Sequence, residues 1–341
     1  MGHDMAVAGG PFLQVRGLSV RHRPTGRRVV QDVDLAVAPG GSLGLVGESG
    51  SGKSITCLAM VGLQPPSMDV TGSVSIGGTD TVGLPERQLN DLRARTARVV
   101  FQDPWASLNP ALRIGAQLTE SVRLARPMSM KQARGVAVEM LTRVGIAEPE
   151  LRLRSYPRQL SGGILQRVVI AMALVAQPRL VICDEPTTAL DATTEVQVLE
   201  LLRELSREYE FALILTTHDL GIAAEYTDRL AVLYQGKVVE RGDTIGCLRT
   251  PHHPYTLALT AALPGASSAA PREDLPALAS GARRPAGQAG CSFAPRCAFV
   301  HEHCLQAAPP LIPVEGTADR AAACWLPAIP AVAGTTKAGS Q

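Results

Sequence analysis

Gly47-Glu48-Ser49-Gly50-Ser51-Gly52-Lys53-Ser54 is the stretch on which the reading of this sequence turns. It fits G-x-x-x-x-G-K-S/T, a loop that cradles a polyphosphate between a strand and a helix. Its surroundings suit that role. The apolar run Leu43-Gly44-Leu45-Val46 precedes it as a buried strand, and Ile55, Leu58, Ala59 and Leu63 follow at helical spacing. Gly47, Gly50 and Gly52 let the backbone turn tightly with its N–H groups pointing inward. The helix that follows adds its positive N-terminal end. Lys53 is placed to reach the β- and γ-phosphates, and the Ser54 hydroxyl to ligate Mg2+. Ser49, Ser51 and Ile55 complete the candidate contacts to a nucleoside triphosphate.

Upstream, Phe12 to Val20 and Val29 to Val37 alternate like strands around the turn signal Pro24-Thr25-Gly26, and Thr71 to Gly77 adds another. Together they predict a small antiparallel sheet flanking the nucleotide core. Arg98 to Phe101 is a further strand, running into Gln102-Asp103-Pro104. From about Ala111 to Arg154 the pattern turns helical, with Val136, Val138, Met140, Leu141 and Val144 supplying apolar faces. Two strand–helix units follow. Leu180 to Cys183 ends in Asp184-Glu185, a helix begins near Asp191, and Phe211 to Leu215 ends at Thr216-Thr217-His218. Alternating strands and helices imply a parallel sheet whose ligands sit at the carboxyl ends of its strands. Asp184, Glu185 and His218 all lie at such ends.

The 341 residues allow two domains, one with a substantial core. A net charge of +2 with interspersed signs, and no basic block, argues against a nucleic-acid binder. The longest clean apolar run, Val168 to Ala176, is far short of the roughly 20 residues a membrane helix needs. The N-terminus reads without a signal peptide, so a cytoplasmic chain that reaches a membrane through partners is expected. Past Leu263 the character changes. Residues 264–290 read as an Ala/Pro/Gly linker, 291–327 as a cysteine-rich segment and 328–341 as a disordered tail.

Asp184, after a hydrophobic strand, can hold Mg2+ opposite Ser54, and Glu185 beside it can polarise an attacking water. Leu160-Ser161-Gly162-Gly163 opens a helix that Ser161 can cap, and its glycines let a phosphate approach exposed N–H groups. Alone, that tetrapeptide is only a helix-start signal.

Taken in order, these motifs resemble the ATP-binding cassette (ABC) transporter ATPases over about residues 11–263. Gly47 to Ser54 stands as Walker A, Gln102 as the Q-loop glutamine and Leu160 to Gly163 as the signature. Leu180 to Glu185 stands as Walker B, Ala189-Leu190-Asp191 as the D-loop and His218 as the switch histidine. The resemblance implies an α/β fold of P-loop NTPase type. Its parts are a parallel-sheet nucleotide core, an antiparallel β subdomain, a helical insert at about 104–160 and a small C-terminal extension. It also implies a mechanism in which two cassettes pair head to tail. Lys53, Glu185, His218 and Gln102 then serve catalysis, while Ser161, Gly162, Gly163 and Asp191 attend the nucleotide between subunits. Gln102, with Ser54 and Asp184, attends Mg2+. ATP closes the pair and hydrolysis opens it.

Two places depart from the common pattern. His22 stands where an aromatic ring usually stacks on adenine, and Ile164 where many signatures have glutamine. The latter variant resembles importers of the dipeptide, oligopeptide and nickel branch. So do Phe101 to Pro104, Ser107 to Pro110, Glu185 to Asp191 and Thr250 to Thr256. The branch implies two membrane permeases, an extracytoplasmic solute-binding protein and a second, non-identical ATPase, with the chain peripheral on the cytoplasmic face of the cell membrane. The cysteine segment favours peptides over nickel as the solute. Cys291, Cys297, Cys304 and Cys324 lack the close C-x2-C pairing of common zinc modules. Four thiolates suit a 4Fe–4S cluster, as some peptide-importer ATPases carry. Zn2+ with His301 or His303, disulfides and free thiols remain alternatives.

Overall fold

A computed structural model of the chain describes residues 10–188, 190–262, 289–317, 319–327 and 329. The expected linker, apart from its last two residues, and nearly all of the expected tail lie outside the described residues, as does Ala189.

Two sheets organise the fold. In the first, β1 (Leu13–His22) and β2 (Arg28–Val37) form a hairpin. Leu13, Val15, Leu18 and Val20 of β1 are buried, which fixes the face the hairpin turns inward. β3 (Ser42–Val46) belongs to the second sheet and leads through the phosphate loop into α1 (Lys53–Met60). β4 (Met68–Ile76) pairs antiparallel with the free side of β1, and β5 (Thr79–Asp80) completes the order β2-β1-β4-β5. After α2 (Glu86–Arg95) comes β6 (Ala97–Val100).

A helical stretch then departs from the sheet: α3 (Pro104–Ser107), α4 (Ile114–Ala125), α5 (Met130–Arg143), α6 (Pro149–Arg152) and α7 (Gly162–Leu174). Ile114, Leu118, Val122, Ala137 and Leu141 pack with Leu165 and Val168 in one cluster. Of the apolar positions read from the sequence, Met140, Leu141 and Val144 are buried in it, while Val136 and Val138 are half-buried against it. Ser129 and Gln132 form a reciprocal capping box that starts α5.

β7 (Leu180–Asp184), α8 (Ala192–Glu208), β8 (Ala212–Thr217), α9 (Leu220–Tyr226) and β9 (Arg229–Tyr234) return to the core. β10 (Lys237–Asp243) pairs antiparallel with β9, and α10 (Thr244–Arg249) and α11 (Pro254–Ala261) follow. The cysteine segment contributes α12 (Glu302–Gln306), β11 (Ile312–Pro313) and β12 (Ala321–Ala322). The second sheet runs β11-β12-β10-β9-β3-β8-β7-β6, parallel from β9 through β6. β3, β8 and β7 are adjacent, so the loop after β3 and the ends of β7 and β8 open on one edge.

Three features differ from the sequence reading. α1 ends at Met60, and Gly62 turns the chain left-handed (φ 68°), so Leu63 lies past the helix and is exposed. The hairpin β9–β10 and helices α2 and α9–α11 were not anticipated; α2 buries only Leu89 and Leu92, too few to show a period. The cysteine segment also shares a core with the nucleotide domain. Phe293 is buried against the rings of Tyr234, Tyr255 and His253.

Candidate functional site

The phosphate loop is seated by close backbone approach. A Cβ at Gly47 would lie 2.2 Å from the Leu233 carbonyl oxygen, so only glycine fits there. Gly52 takes φ 107° as it caps α1. Gly236, in the β9–β10 turn, donates its N–H to the Ser51 carbonyl at 2.7 Å. Ser51 and Lys53 are buried, whereas Ile55 is half-buried against the second core cluster.

Lys53 Nζ donates to the carbonyls of Gly47 (2.7 Å) and Glu48 (3.3 Å) and lies 3.2 Å from Glu185 Oε1. The cation is thus folded across its own loop. Ser54 Oγ donates to Asp184 Oδ1 at 3.0 Å, bringing together the two groups expected to attend Mg2+. Glu185 sits left-handed at φ 46°, a strained conformation for a side chain with a Cβ and one that gathers at functional sites. Burial pushes its carboxyl up, but Lys53 and the Thr188 hydroxyl outweigh that, so it lies below the usual carboxylate range. His218 Nδ1 approaches Glu185 Oε2 at 3.5 Å from a mostly exposed ring.

Thr216 was missed by sequence reasoning. Its hydroxyl donates to Asp184 Oδ1 at 2.7 Å and accepts from the Glu185 N–H at 2.9 Å, joining β8 to both acids. Its signal was a threonine one strand over at the carboxyl edge, paired with Asp184.

The remaining candidates lie on other elements. Gln102 is exposed in the bend between β6 and α3. His22 is half-buried at the end of β1, with Nδ1 2.8 Å from the Thr25 hydroxyl. Ser161, Gly162 and Gly163 open α7 beside the start of α8; a Cβ at Gly163 would meet Thr194 at 2.8 Å. Ser161 holds the N-cap position but makes no capping bond, a correction to the reading above. It is exposed, and water competes for its hydroxyl. Asp191 does cap α8, accepting from the Thr194 N–H and hydroxyl at 3.0 and 2.8 Å, and these bonds lower its pKa.

Cys291, Cys297, Cys304 and Cys324 line one small pocket with Phe293 and Trp325. Burial raises the Cys297 thiol to about 11 and raises Cys324, and neighbouring thiols push both the same way. The His303 ring lies 4.3 Å from Trp325. Among the described residues no group of three or more His, Cys, Asp or Glu side chains stands in a metal-holding arrangement.

Residues 30–188 match the ABC transporter family, and residues 239–304 match the oligopeptide/dipeptide transporter C-terminal region. A putative peptide import ATP-binding protein of Brucella melitensis is 40% identical over 321 residues, covering 89% of this chain and 94% of its own. The chain belongs to the ABC transporter ATP-binding family. Another ABC relative, the oligopeptide transport ATP-binding protein OppD of Mycobacterium tuberculosis, is 40% identical over 317 residues. That alignment covers 92% of this chain but 52% of OppD, so the chain spans about half that relative's length. Among solved structures, the dimeric ATP-binding cassette MJ0796 bound to ADP and Pi superposes with a TM-score of 0.61 at 28% identity, covering 68% of this chain and 98% of that one. The ABC protein cbiO1 from Clostridium perfringens gives 0.61 at 25% identity, covering 70% of this chain and 91% of its own. No helix among the described residues is long and apolar enough to cross a membrane.

Proposed function

We propose that this chain is the ATP-hydrolysing subunit of an importer that powers uptake of di- and oligopeptides through membrane permeases. The observation that carries the reading is the oligopeptide/dipeptide transporter C-terminal match at residues 239–304, on a chain whose Lys53, Asp184, Glu185 and His218 converge. The chain works peripherally, on the cytoplasmic face of the cell membrane, with two permeases, an extracytoplasmic binding protein and a second, non-identical ATPase. Import of nickel or another small solute is the alternative.

In this mechanism Gly47 to Ile55 wrap the triphosphate, and Lys53 leaves Glu185 to bind the terminal phosphates. Ser54 and Asp184 would hold Mg2+, which would screen phosphate charge, and Gln102 is assigned to attend the same ion. Glu185 accepts a proton from the attacking water, and His218 donates a hydrogen bond at the γ-phosphate. Ser161, Gly162, Gly163 and Asp191 serve the nucleotide of the paired subunit. His22 stacks on the base.

For the four cysteines we propose a 4Fe–4S cluster that staples their short segment, with Zn2+ as the alternative. The reading rests on the one small pocket they line; their side chains do not stand in a metal-holding arrangement, so they would have to turn toward the metal. Anaerobic purification is expected to yield iron and acid-labile sulfide in equal amounts, lost in Cys297→Ser. Zinc without sulfide favours the alternative, and neither element leaves free thiols.

Uptake of labelled peptides, beside labelled Ni2+, in cells carrying Lys53→Ala tests the solute. Peptide uptake is expected to fall to background while nickel uptake holds. A fall in nickel uptake alone overturns the peptide reading.

A further inference from the structure

Glu48, the second residue of the phosphate loop, is held by the far end of the chain. Arg296, 248 positions later, grips its carboxylate as a fork: Nη1 donates to Oε2 at 2.9 Å and Nη2 to Oε1 at 2.7 Å. The Arg296 side chain is only 10% exposed. Its guanidinium lies 5.8 Å from the Tyr234 ring and 5.9 Å from the Phe293 ring, which fix its direction. The Glu48 backbone is held as well. Its N–H donates to the Tyr255 hydroxyl at 2.9 Å, and its carbonyl accepts from Lys53. Arg296 leaves a short turn, Ala294–Arg296, that lies between Cys291 and Cys297.

We propose that Arg296 makes the C-terminal segment a clamp on the phosphate loop, and that this clamp sets the affinity of the same subunit for MgATP. The inference rests on reading Gly47 to Ser54 as the ATP loop. A carboxylate within a loop that receives a polyanion opposes it electrostatically. Arg296 neutralises that charge, and its bidentate geometry also fixes the loop in one conformation. Arg296 is a positioning residue: it acts through Glu48 and touches no reacting atom. Order in the cysteine segment is thereby transmitted to nucleotide binding.

The test is MgATP affinity of the full chain, by titration calorimetry, for Arg296→Ala, Arg296→Lys, Glu48→Gln, the Arg296→Ala/Glu48→Gln double variant and Lys53→Ala. Arg296→Ala is expected to weaken binding about ten-fold, raising KM far more than it lowers kcat. Arg296→Lys, which keeps the charge and loses the fork, falls between. In the Glu48→Gln background the same Arg296→Ala change has little effect. Equal losses in both backgrounds overturn the clamp, because the effect then does not pass through Glu48. Wild-type affinity in Arg296→Ala beside lost binding in Lys53→Ala also overturns it. Wild-type affinity in Lys53→Ala instead overturns the ATP-loop reading itself, and the clamp with it. If Arg296→Ala fails to fold, the comparison of Arg296→Lys in the two Glu48 backgrounds decides in the same way.

Discussion

Glu185→Gln retains MgATP binding and loses turnover by roughly 10²- to 10⁴-fold, the range removed with a general base. Lys53 at 3.2 Å holds the carboxylate ionised despite its partial burial, and once Lys53 leaves for the phosphates, as proposed, the carboxylate is released to accept a proton. Its pKa is depressed, so the stability it contributes is present above the usual carboxylate range and is lost only as pH falls through the lowered value. Glutamine keeps the size and can still accept from the Thr188 hydroxyl, 3.1 Å from Glu185 Oε2. It gives up the ion pair that holds Lys53 back from the phosphates, so affinity for nucleotide does not drop. Phosphate release and nucleotide binding, measured on the same preparation, check both halves. Unchanged hydrolysis would remove Glu185 from the proposed chemistry.

Arg320→Ala destabilises the chain by about 3–5 kcal/mol, the cost of leaving a buried charge without its partner. Glu240 is fully buried; it accepts from the His252 and His253 N–H groups at 2.9 Å each and from Arg320 Nη2 at 3.2 Å. Burial raises its pKa, and those hydrogen bonds and the guanidinium oppose the rise. Arg320 also donates to the Thr250 hydroxyl at 2.7 Å, so its removal loosens the turn before α11. Without the guanidinium the Glu240 carboxyl takes up a proton more readily, so the deficit shrinks as pH falls and grows as pH rises. Urea unfolding of the variant at several pH values measures this. A deficit independent of pH would assign the loss to packing against Gly242 instead of to charge.

The nucleotide side of the fold was legible because local signals agreed. An apolar strand, a glycine-rich loop and a helical period coincide at Leu43 to Ala59, and strand-end acids mark the same sheet edge. What the sequence hid is what depends on long separations. Thr216 meets Asp184 across 32 positions and Arg296 meets Glu48 across 248, and neither pairing leaves a periodic trace. Ser161 shows the reverse case: a good local capping signal that the solvent-exposed helix start does not use. In the β9–β10 hairpin only β9 is an apolar run, β10 having just Val238 and Val239 among polar residues, and it is pairing of β9 with β3 that gives the hairpin its place in the sheet.

The two short strands at the chain's far end have a consequence for handling the protein. β12 pairs with β10 at Glu240–Ala322 and Arg241–Ala321, and β11 follows with Pro313, which has no N–H to offer. They close the open border of the eight-stranded sheet with a short, proline-blunted strip. A truncation that stops before Cys291 would bare the β10 backbone groups to any passing chain, the ordinary starting point for intermolecular strand addition. Shortened versions made to simplify purification are therefore expected to precipitate even where their nucleotide motifs are intact.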